Sequence, residues 1–563
     1  MSYLIPIIVG INISFLILLI NVNFLSVIIK FQTFNSKDDN KVLPLVIPSV
    51  ILIISLYSYI CWFITRYLGS VGQVLILIFT LIALFYNIFI SQKIFDTWID
   101  KKITFLVMIL QSILVCIIFL WHTQNTYFEA VQIRTQLPVD NVLPSEVGKM
   151  ILEKQDSSFL FGDWKTSDRP PLATGLIFAL KPYFLDMNYH QRDFFILVGA
   201  NSLFLLSIIA VISNLDILNY SKKISIILVS LTSLPIIINY SFTWPKLLSA
   251  SCTLSAISLI IYAGKGRTNN KILIIRNRGR NIYSFALILE ILSVLYHGAE
   301  VFVVAPLIFL TGILHFKSTG ITKSLKMYFA IVCVYIPWYL HQKFIVPSND
   351  RLLKYHLAWH HDISSDSFFT TFKQTFVRTG IEKWSSFRIE NIKQIFGGTT
   401  NDFFSGLTFP FTKSIAEIKY NSSILHTFYS LTPLVLLIIL EKSFFNNKQL
   451  FMKERVYKQL LTCVISGYFI WIFAIFEPGG TIMTVGPLSS YIFLRIILLV
   501  YIIYSGHRMT KIALLIITIS DLATLFYPRI TDLQSSFSFS SFGTLVFLII
   551  ILISYLRKAK INL

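Results

Sequence analysis

Charge is what this chain of 563 residues has least of: Asp, Glu, Lys and Arg make up 13% of it, against 55% hydrophobic residues. A soluble domain carries about 25% charged residues, so the deficit excludes an ordinary soluble enzyme and a disordered chain alike. Cysteine is scarce too. The five, Cys61, Cys116, Cys252, Cys333 and Cys463, stand singly in or beside apolar stretches with no CxxC pair, which excludes a disulfide framework or a zinc module of that type. Acids are outnumbered 28 to 48 by Lys and Arg, giving a net charge of +20. The positives lie in short clusters between apolar runs and form no basic arm, so no nucleic-acid partner is expected. GxGxxG, HExxH and GxSxG are all missing, and Lys265-Gly266-Arg267-Thr268 lacks the glycine spacing of a P-loop. No internal repeat is visible, which weighs against an inverted-repeat transporter.

Long apolar runs, in contrast, are plentiful, among them Leu43–Tyr57, Val74–Ile90 and Ile103–Leu120, and the mean hydropathy is +0.70. A bilayer crossing needs roughly 17–25 apolar residues. The expected class is therefore an all-α polytopic membrane protein. Runs and flanks predict spans near 4–29, 43–65, 71–90, 103–121, 194–213, 224–240, 247–262, 282–296, 299–316, 327–345, 426–440, 459–476, 488–505, 512–527 and 543–556. That makes about fifteen transmembrane helices, within a range of about 13 to 16. The first run is too long for the core of a cleavable signal and reads as a span.

Orientation follows from charge. Residues 263–281 carry Lys265, Arg267, Lys271, Arg276, Arg278 and Arg280 and no acid, so the positive-inside rule places them in the cytoplasm. The clusters Lys222/Lys223, Lys317/Lys323/Lys326, Lys442 to Lys458, Arg508/Lys511 and Arg557/Lys558/Lys560 then share that side, provided that the short run 171–185 does not cross. It reads instead as a re-entrant or juxtamembrane helix opening at Pro170-Pro171. Five blocks result: N-terminal helices 1–121, an outer segment with the short helix 122–193, a central bundle 194–345, a second outer segment 346–425, and C-terminal helices 426–563. The long polar segments and the turns 241–246, 297–298 and 477–487 all fall outside, so the working face is expected to be extracytoplasmic. Irregular backbone at a membrane persists where it packs on protein or lines a wet cavity.

The first outer segment holds Asp140-Asn141, a helical stretch from Ser145 to Lys154 with Val147, Met150 and Ile151 on one face, and Gly162-Asp163-Trp164-Lys165-Thr166-Ser167-Asp168-Arg169-Pro170-Pro171-Leu172. Gly162 and the proline pair force a turn that brings Asp168 and Arg169 to the membrane surface. A partly buried carboxylate at such a turn can serve as a general base; equally, the loop can be a solvated cap on the bundle.

An acidic pair near the start of an outer loop, followed about thirty residues later by a Pro-Pro-Leu turn into a short apolar helix, resembles the GT-C superfamily. These polytopic glycosyltransferases take sugars from polyprenyl-phosphate carriers and include protein O-mannosyltransferases and the aminoarabinose transferases of lipid A. Asp140-Asn141 stands where that family has Asp-Glu, and Asp168-Arg169-Pro170-Pro171-Leu172 where it has His-Pro-Pro-Leu; Ala173–Leu185 and Arg192 match the continuation. The likeness covers roughly residues 103–262. Asn141 departs from the pattern by removing the second acid, and Asp168-Arg169 by replacing the histidine. Phe242 to Lys246, Tyr296-His297-Gly298, Arg351 to His356 and Pro478 to Thr481 are similar to segments of bacterial membrane proteins without an assigned activity.

The resemblance implies Asp140 as the base that deprotonates the acceptor hydroxyl, with Asp168 and then Asp163 as alternatives. It implies a lipid-linked sugar donor whose phosphate is neutralised on leaving by Arg169, Lys246, Arg351 and Lys354, with Trp244 and His297 beside them. The lysines could equally snorkel to lipid headgroups. No cofactor is required, although a divalent cation stays open; no residue set predicts a metal site. His356, His360 and His361 give a His-x3-His spacing that on a helix puts two imidazoles on one face with Asp362 nearby; that could be a metal site, and an interfacial amphipathic helix is the simpler reading. Three charges lie inside apolar runs. Arg495 and Asp521, both at a depth of about 10 Å, are expected to pair; Glu290 either lines the outer cavity or bonds to a neighbouring helix. The function expected is transfer of a sugar to an envelope glycan, lipid or protein at the outer face of a bacterial cytoplasmic membrane. The alternatives are a transporter or flippase of a lipid-linked saccharide, and a glycan polymerase or acyltransferase. Besides the donor and membrane lipids no partner is indicated, and the oligomeric state is not legible.

Overall fold

A computed structural model describes residues 4–28, 43–89, 101–121, 139–155, 160–161, 164–166, 169–184, 187–215, 218–241, 243–265, 272–346, 350–359, 366–397, 404, 407–408, 410–445, 455–482, 486–505 and 507–530. In chain order the helices are α1 (Leu4–Ile28), α2 (Leu43–Phe89), α3 (Lys101–Trp121), α4 (Leu143–Leu152), α5 (Leu172–Leu180), α6 (Tyr189–Ala200), α7 (Ser202–Ser213), α8 (Tyr220–Leu231), α9 (Leu234–Ser241) and α10 (Lys246–Lys265). They continue as α11 (Ile272–Tyr296), α12 (Val301–Thr319), α13 (Ile321–Leu340), α14 (Arg351–Ala358), α15 (Phe368–Phe396), α16 (Lys413–Leu425), α17 (Thr432–Phe445), α18 (Arg455–Ala474), α19 (Leu488–Ser505) and α20 (Arg508–Ile530). A two-residue antiparallel ladder, β1 (Leu160–Phe161) with β2 (Trp164–Lys165), is the only sheet among the described residues.

Among the described residues five helical segments are long and apolar enough to cross a membrane: Leu43–Tyr86, Tyr189–Ser213, Lys246–Lys265, Gly298–Thr319 and Arg455–Ala474; the pair α8–α9, bent by 74°, makes a sixth if it is one broken span. Large apolar side chains lie exposed on the outer surface, Phe105, Phe309, Phe329 and Phe344 each at 65% or more. In water such a surface would be an aggregation site, whereas lipid satisfies it. The chain is a helical membrane protein.

α2 is not one rod. Its 44-residue segment Leu43–Tyr86 would run about 66 Å if straight, twice the hydrocarbon core. At Gly69 the backbone takes φ 55° and ψ −127°, a conformation that glycine alone adopts without strain. The chain doubles back there: Gln73 Nε2 donates to Thr65 Oγ1 at 2.6 Å, and the rings of Tyr57 and Phe79 lie 5.2 Å apart. The two arms match the sequence runs 43–65 and 71–90.

α10 is the centre of the bundle, packed against α11, α7, α2 and α19, and every residue from Lys246 to Ile261 is buried. Its Ser, Ala, Cys and Thr residues allow this, since small side chains let helices approach closely and their hydroxyls bridge them. Ser249 Oγ donates to Ser293 O at 2.6 Å, Ser293 Oγ returns the bond to Ser249 O at 3.0 Å, and Thr253 Oγ1 lies 2.7 Å from Ser293 Oγ. α5 is buried on all sides and follows the same logic, because a Cβ on Gly175 would fall 2.0 Å from Ser58 O. With the following turn it spans Leu172–Tyr183, about 18 Å at helical rise and too short to cross alone.

The two ends of the bundle differ. At one end Lys222 stacks on Tyr504, Lys223 Nζ donates to Ser213 O, Lys265 Nζ donates to Asn214 O, and Glu441 accepts from His507 N. At the other end the turns that charge placed outside come together.

Candidate functional site

The site is built where five chain segments meet. The first is the 3-10 turn Val139–Val142, which leads into α4. Asp140 belongs to this turn; its side chain, like Asp163 and Asp168, falls outside the described residues. Asn141 is buried, donates through Nδ2 to Thr243 Oγ1 at 3.1 Å, and accepts through its backbone carbonyl from the same hydroxyl at 3.1 Å. Asn141 thus tethers the turn to the α9–α10 connection. α4 seats Val147, Met150 and Ile151 inward, as their spacing predicts, and Thr174 Oγ1 donates to Pro144 O at 3.0 Å to hold it on α5.

The second segment ends at Arg169, which is buried; its backbone N–H closes a turn on Thr166 O at 3.4 Å. Burial pushes its guanidinium below the ordinary arginine range, and an arginine still holds its proton at neutral pH. The third segment supplies Trp244 and Lys246, both buried. Lys246 Nζ lies 4.6 Å above the Trp244 ring and donates to Gly486 O at 3.1 Å, so an aromatic face and a carbonyl fix the ammonium at the start of α10.

The fourth segment is the turn from α11 to α12. His297 stands edge-on to Trp244 at 5.4 Å. Its Nδ1 accepts from Ala299 N at 3.3 Å, so Nε2 carries the proton of the neutral ring. That Nε2 is buried without a partner among the described residues. Burial first, then the charges of Lys246, Arg169 and His356, holds His297 well below its ordinary value; the ring is neutral at pH 7. Three residues on, Glu300 accepts from Ser489 N at 3.1 Å, from Ser489 Oγ, and from Thr253 Oγ1 at 3.5 Å. Glu300 thereby caps the first turn of α19, where the free N–H groups favour an anion, and its charge faces Lys246.

The fifth segment is α14, laid against the end of α18 by the bond from Phe476 N to His356 O at 2.9 Å. Arg351 and Lys354 lie on it, both buried, and Lys354 Nζ is engaged by Asp350 at 3.0 Å. α14 stops at Ala358 and Trp359 is left-handed, φ 48°. His360 and His361 lie outside the described residues. Beside Arg169, Arg66, Thr166, Gln155 and His341 line a cleft of about 20 Å³, with Trp62 and Trp338 at its walls. It is room for a water.

Arg169, Trp244, Lys246 and His297 are therefore brought together, with Glu300 as the described acid among them. Sequence reasoning missed Glu300, Ser489 and the tether of Asn141; Gly486-Pro487 before α19 was the one local sign of a helix start there. The intramembrane charges lie elsewhere. Arg495 Nη2 is 3.8 Å from Asp521 Oδ2 and donates to Val229 O at 3.1 Å, while Lys419 Nζ donates to Ser520 Oγ at 2.7 Å, next to Asp521. Glu290 bonds to the neighbouring helix, accepting from Thr311 Oγ1 at 2.8 Å. A divalent cation finds no cradle among the described residues: no three His, Cys, Asp or Glu side chains converge, and the Glu300 oxygens are engaged by hydroxyls and an N–H.

Comparison with family models, curated proteins and solved structures returns no match. The functional reading rests on the chemistry of the site.

Proposed function

We propose that the chain is an integral membrane glycosyltransferase with a GT-C-like bundle of about fifteen membrane helices, acting at the extracytoplasmic face of a bacterial cytoplasmic membrane. It transfers a sugar from a polyprenyl-phosphate carrier to an envelope glycan, lipid or protein. The observation that carries this reading is the buried group of Arg169, Lys246 and the Nε2–H of His297, offset by one carboxylate that Ser489 already engages. Such a cluster suits a phosphate. As the glycosidic C–O bond to the carrier breaks, negative charge grows on the leaving phosphate, and fixed donors in a dry site stabilise it without reorganising. Asp140, in the turn tethered beside Trp244, takes the proton of the acceptor hydroxyl. The hydroxyl oxygen forms the new bond from the opposite face and inverts the anomeric carbon. Since the cleft at Arg169 is water-sized, the donor must widen it on entry.

The test is transfer of radiolabelled sugar from polyprenyl-phosphate donors in membranes with matched expression of wild type, Asp140→Asn and Asp168→Asn. Loss in Asp140→Asn alone supports the assignment; loss in Asp168→Asn alone moves the base to the Pro-Pro turn. Transfer at wild-type rate in both variants overturns the mechanism. A transporter of a lipid-linked saccharide is the second reading, favoured by Glu290, a carboxyl buried on an apolar helix. Accumulation of labelled carrier across vesicle membranes, with no transfer to any acceptor, would decide for it.

A further inference from the structure

Glu290 is outside the phosphate site and unused by the proposed chemistry. It lies on α11, fully buried, and only one of its oxygens has a partner: Oε1 accepts from Thr311 Oγ1, while Oε2 has none among the described residues. Among the described residues no Lys, Arg or His forms an ion pair with it and no charged group acts on it; the described titratable side chains that feel it are Tyr328 on α13 and Cys463 on α18. Tyr328 crosses α12 at Gly312, where a Cβ would fall 1.6 Å from its hydroxyl, so glycine lets the phenol approach beside Thr311. An ionised carboxylate with one hydrogen bond and no counter-ion is not sustained in an apolar interior, and the group takes up a proton instead.

A route for that proton leads away from Glu290. Thr311, His315 and Thr319 recur every fourth residue along α12 and so share one face. His315, buried, lies 3.3 Å through Nε2 from Ser284 Oγ, and through Nδ1 lies 3.0 Å from Ser324 Oγ and 3.3 Å from Thr319 Oγ1. The stripe ends where the exposed Lys317, Lys323 and Lys326 mark the solvent-facing end of α12 and the start of α13. We infer that Glu290 is a proton-binding site inside the bundle, reached from the Lys317–Lys326 end of α12 along Thr311 and His315. This stands whether or not the chain transfers sugars.

Dicyclohexylcarbodiimide, which reaches carboxyls from the apolar phase, tests it on the full-length protein in nanodiscs. The reagent takes the carboxyl proton on nitrogen while the carboxyl oxygen adds to its central carbon, so only a protonated group reacts. The expected result is an adduct on the Glu290 peptide, located by mass spectrometry and lost at alkaline pH. Infrared spectra should show a protonated-carboxyl band in wild type that shifts in D₂O and is lost in Glu290→Gln. In His315→Leu the band should remain, with its prompt deuterium shift lost. Absence of both adduct and band from wild type overturns the site, and needs no variant to fold. An unchanged deuterium shift in His315→Leu overturns the route.

Discussion

Lys246 shows how a single residue is given a task by its surroundings. A lysine at a membrane surface normally extends to headgroups, but here Trp244 lies under the ammonium, Gly486 O accepts from it and Glu300 faces it. The charge is held inward instead. Lys246→Met keeps the apolar stem and removes the cation; by analogy with loss of one fixed donor, transfer should fall about 10²–10³-fold, read in the same membrane assay, with the melting temperature of the purified protein as control. His297 makes a separate prediction. Its folded-state value is depressed, so the unfolded chain binds the extra proton first as pH falls. Its contribution is therefore lost on acidification below the unfolded value, about 6.5, with a slope of up to about 1.4 kcal/mol per pH unit. Thermal melts in detergent between neutral and mildly acidic pH should show this slope in wild type and a shallower one in His297→Phe.

Among the elements, α2 and α15 carry the sharpest expectations. The hairpin of α2 depends on Gly69 at φ 55°; Gly69→Val forces a β-branched residue into that region and should cost about 1–3 kcal/mol. Gly175→Leu would be worse, since the first added carbon meets Ser58 O and α5 must leave α2. Both are read as lowered melting temperatures. α15 ties the second outer segment to the bundle through Arg388, whose guanidinium donates to Ile472 O at 3.2 Å, Phe473 O at 2.7 Å and Phe476 O at 2.8 Å. The first two are terminal carbonyls of α18 and the third lies just past its end. Arg388→Ala leaves Phe473 O and Phe476 O without this donor, while Ile472 O keeps Asn391 Nδ2 at 3.4 Å; the loss should be about 3 kcal/mol and should expose the segment 366–397 to limited proteolysis before the rest of the chain.

For the whole molecule the question is sidedness. Segments separated by up to 240 residues, as in the bond from Lys246 to Gly486, gather at one end, and Lys222, Lys265, Glu441 and His507 at the other. If the first end is extracytoplasmic, Ser386→Cys on α15 reacts with an impermeant maleimide in intact cells, and Lys323→Cys only after permeabilisation. The reverse pattern would put the phosphate cluster in the cytoplasm and remove the basis for an outer-face donor.

Much of this was written locally. The apolar runs placed the helices, since length and hydropathy are properties of contiguous residues, and the break between 65 and 71 was legible because Gly69 interrupts an otherwise continuous run. The spacing of Val147, Met150 and Ile151 chose the inner face of α4. Which outer charges meet was not legible. Arg169, Trp244, Lys246 and His297 converge whereas Lys354 turns to Asp350, because that outcome depends on how α10, α11 and α14 pack, and packing pairs residues with no local signature. The same holds for Glu290, which shares a helix with the turn at His297 yet bonds to Thr311 on α12. Composition and hydropathy by themselves determined a helical membrane protein. Only the tertiary structure decided which polar turns form a dry, cationic site, because burial and electrostatic neighbours are set by contacts across the whole chain.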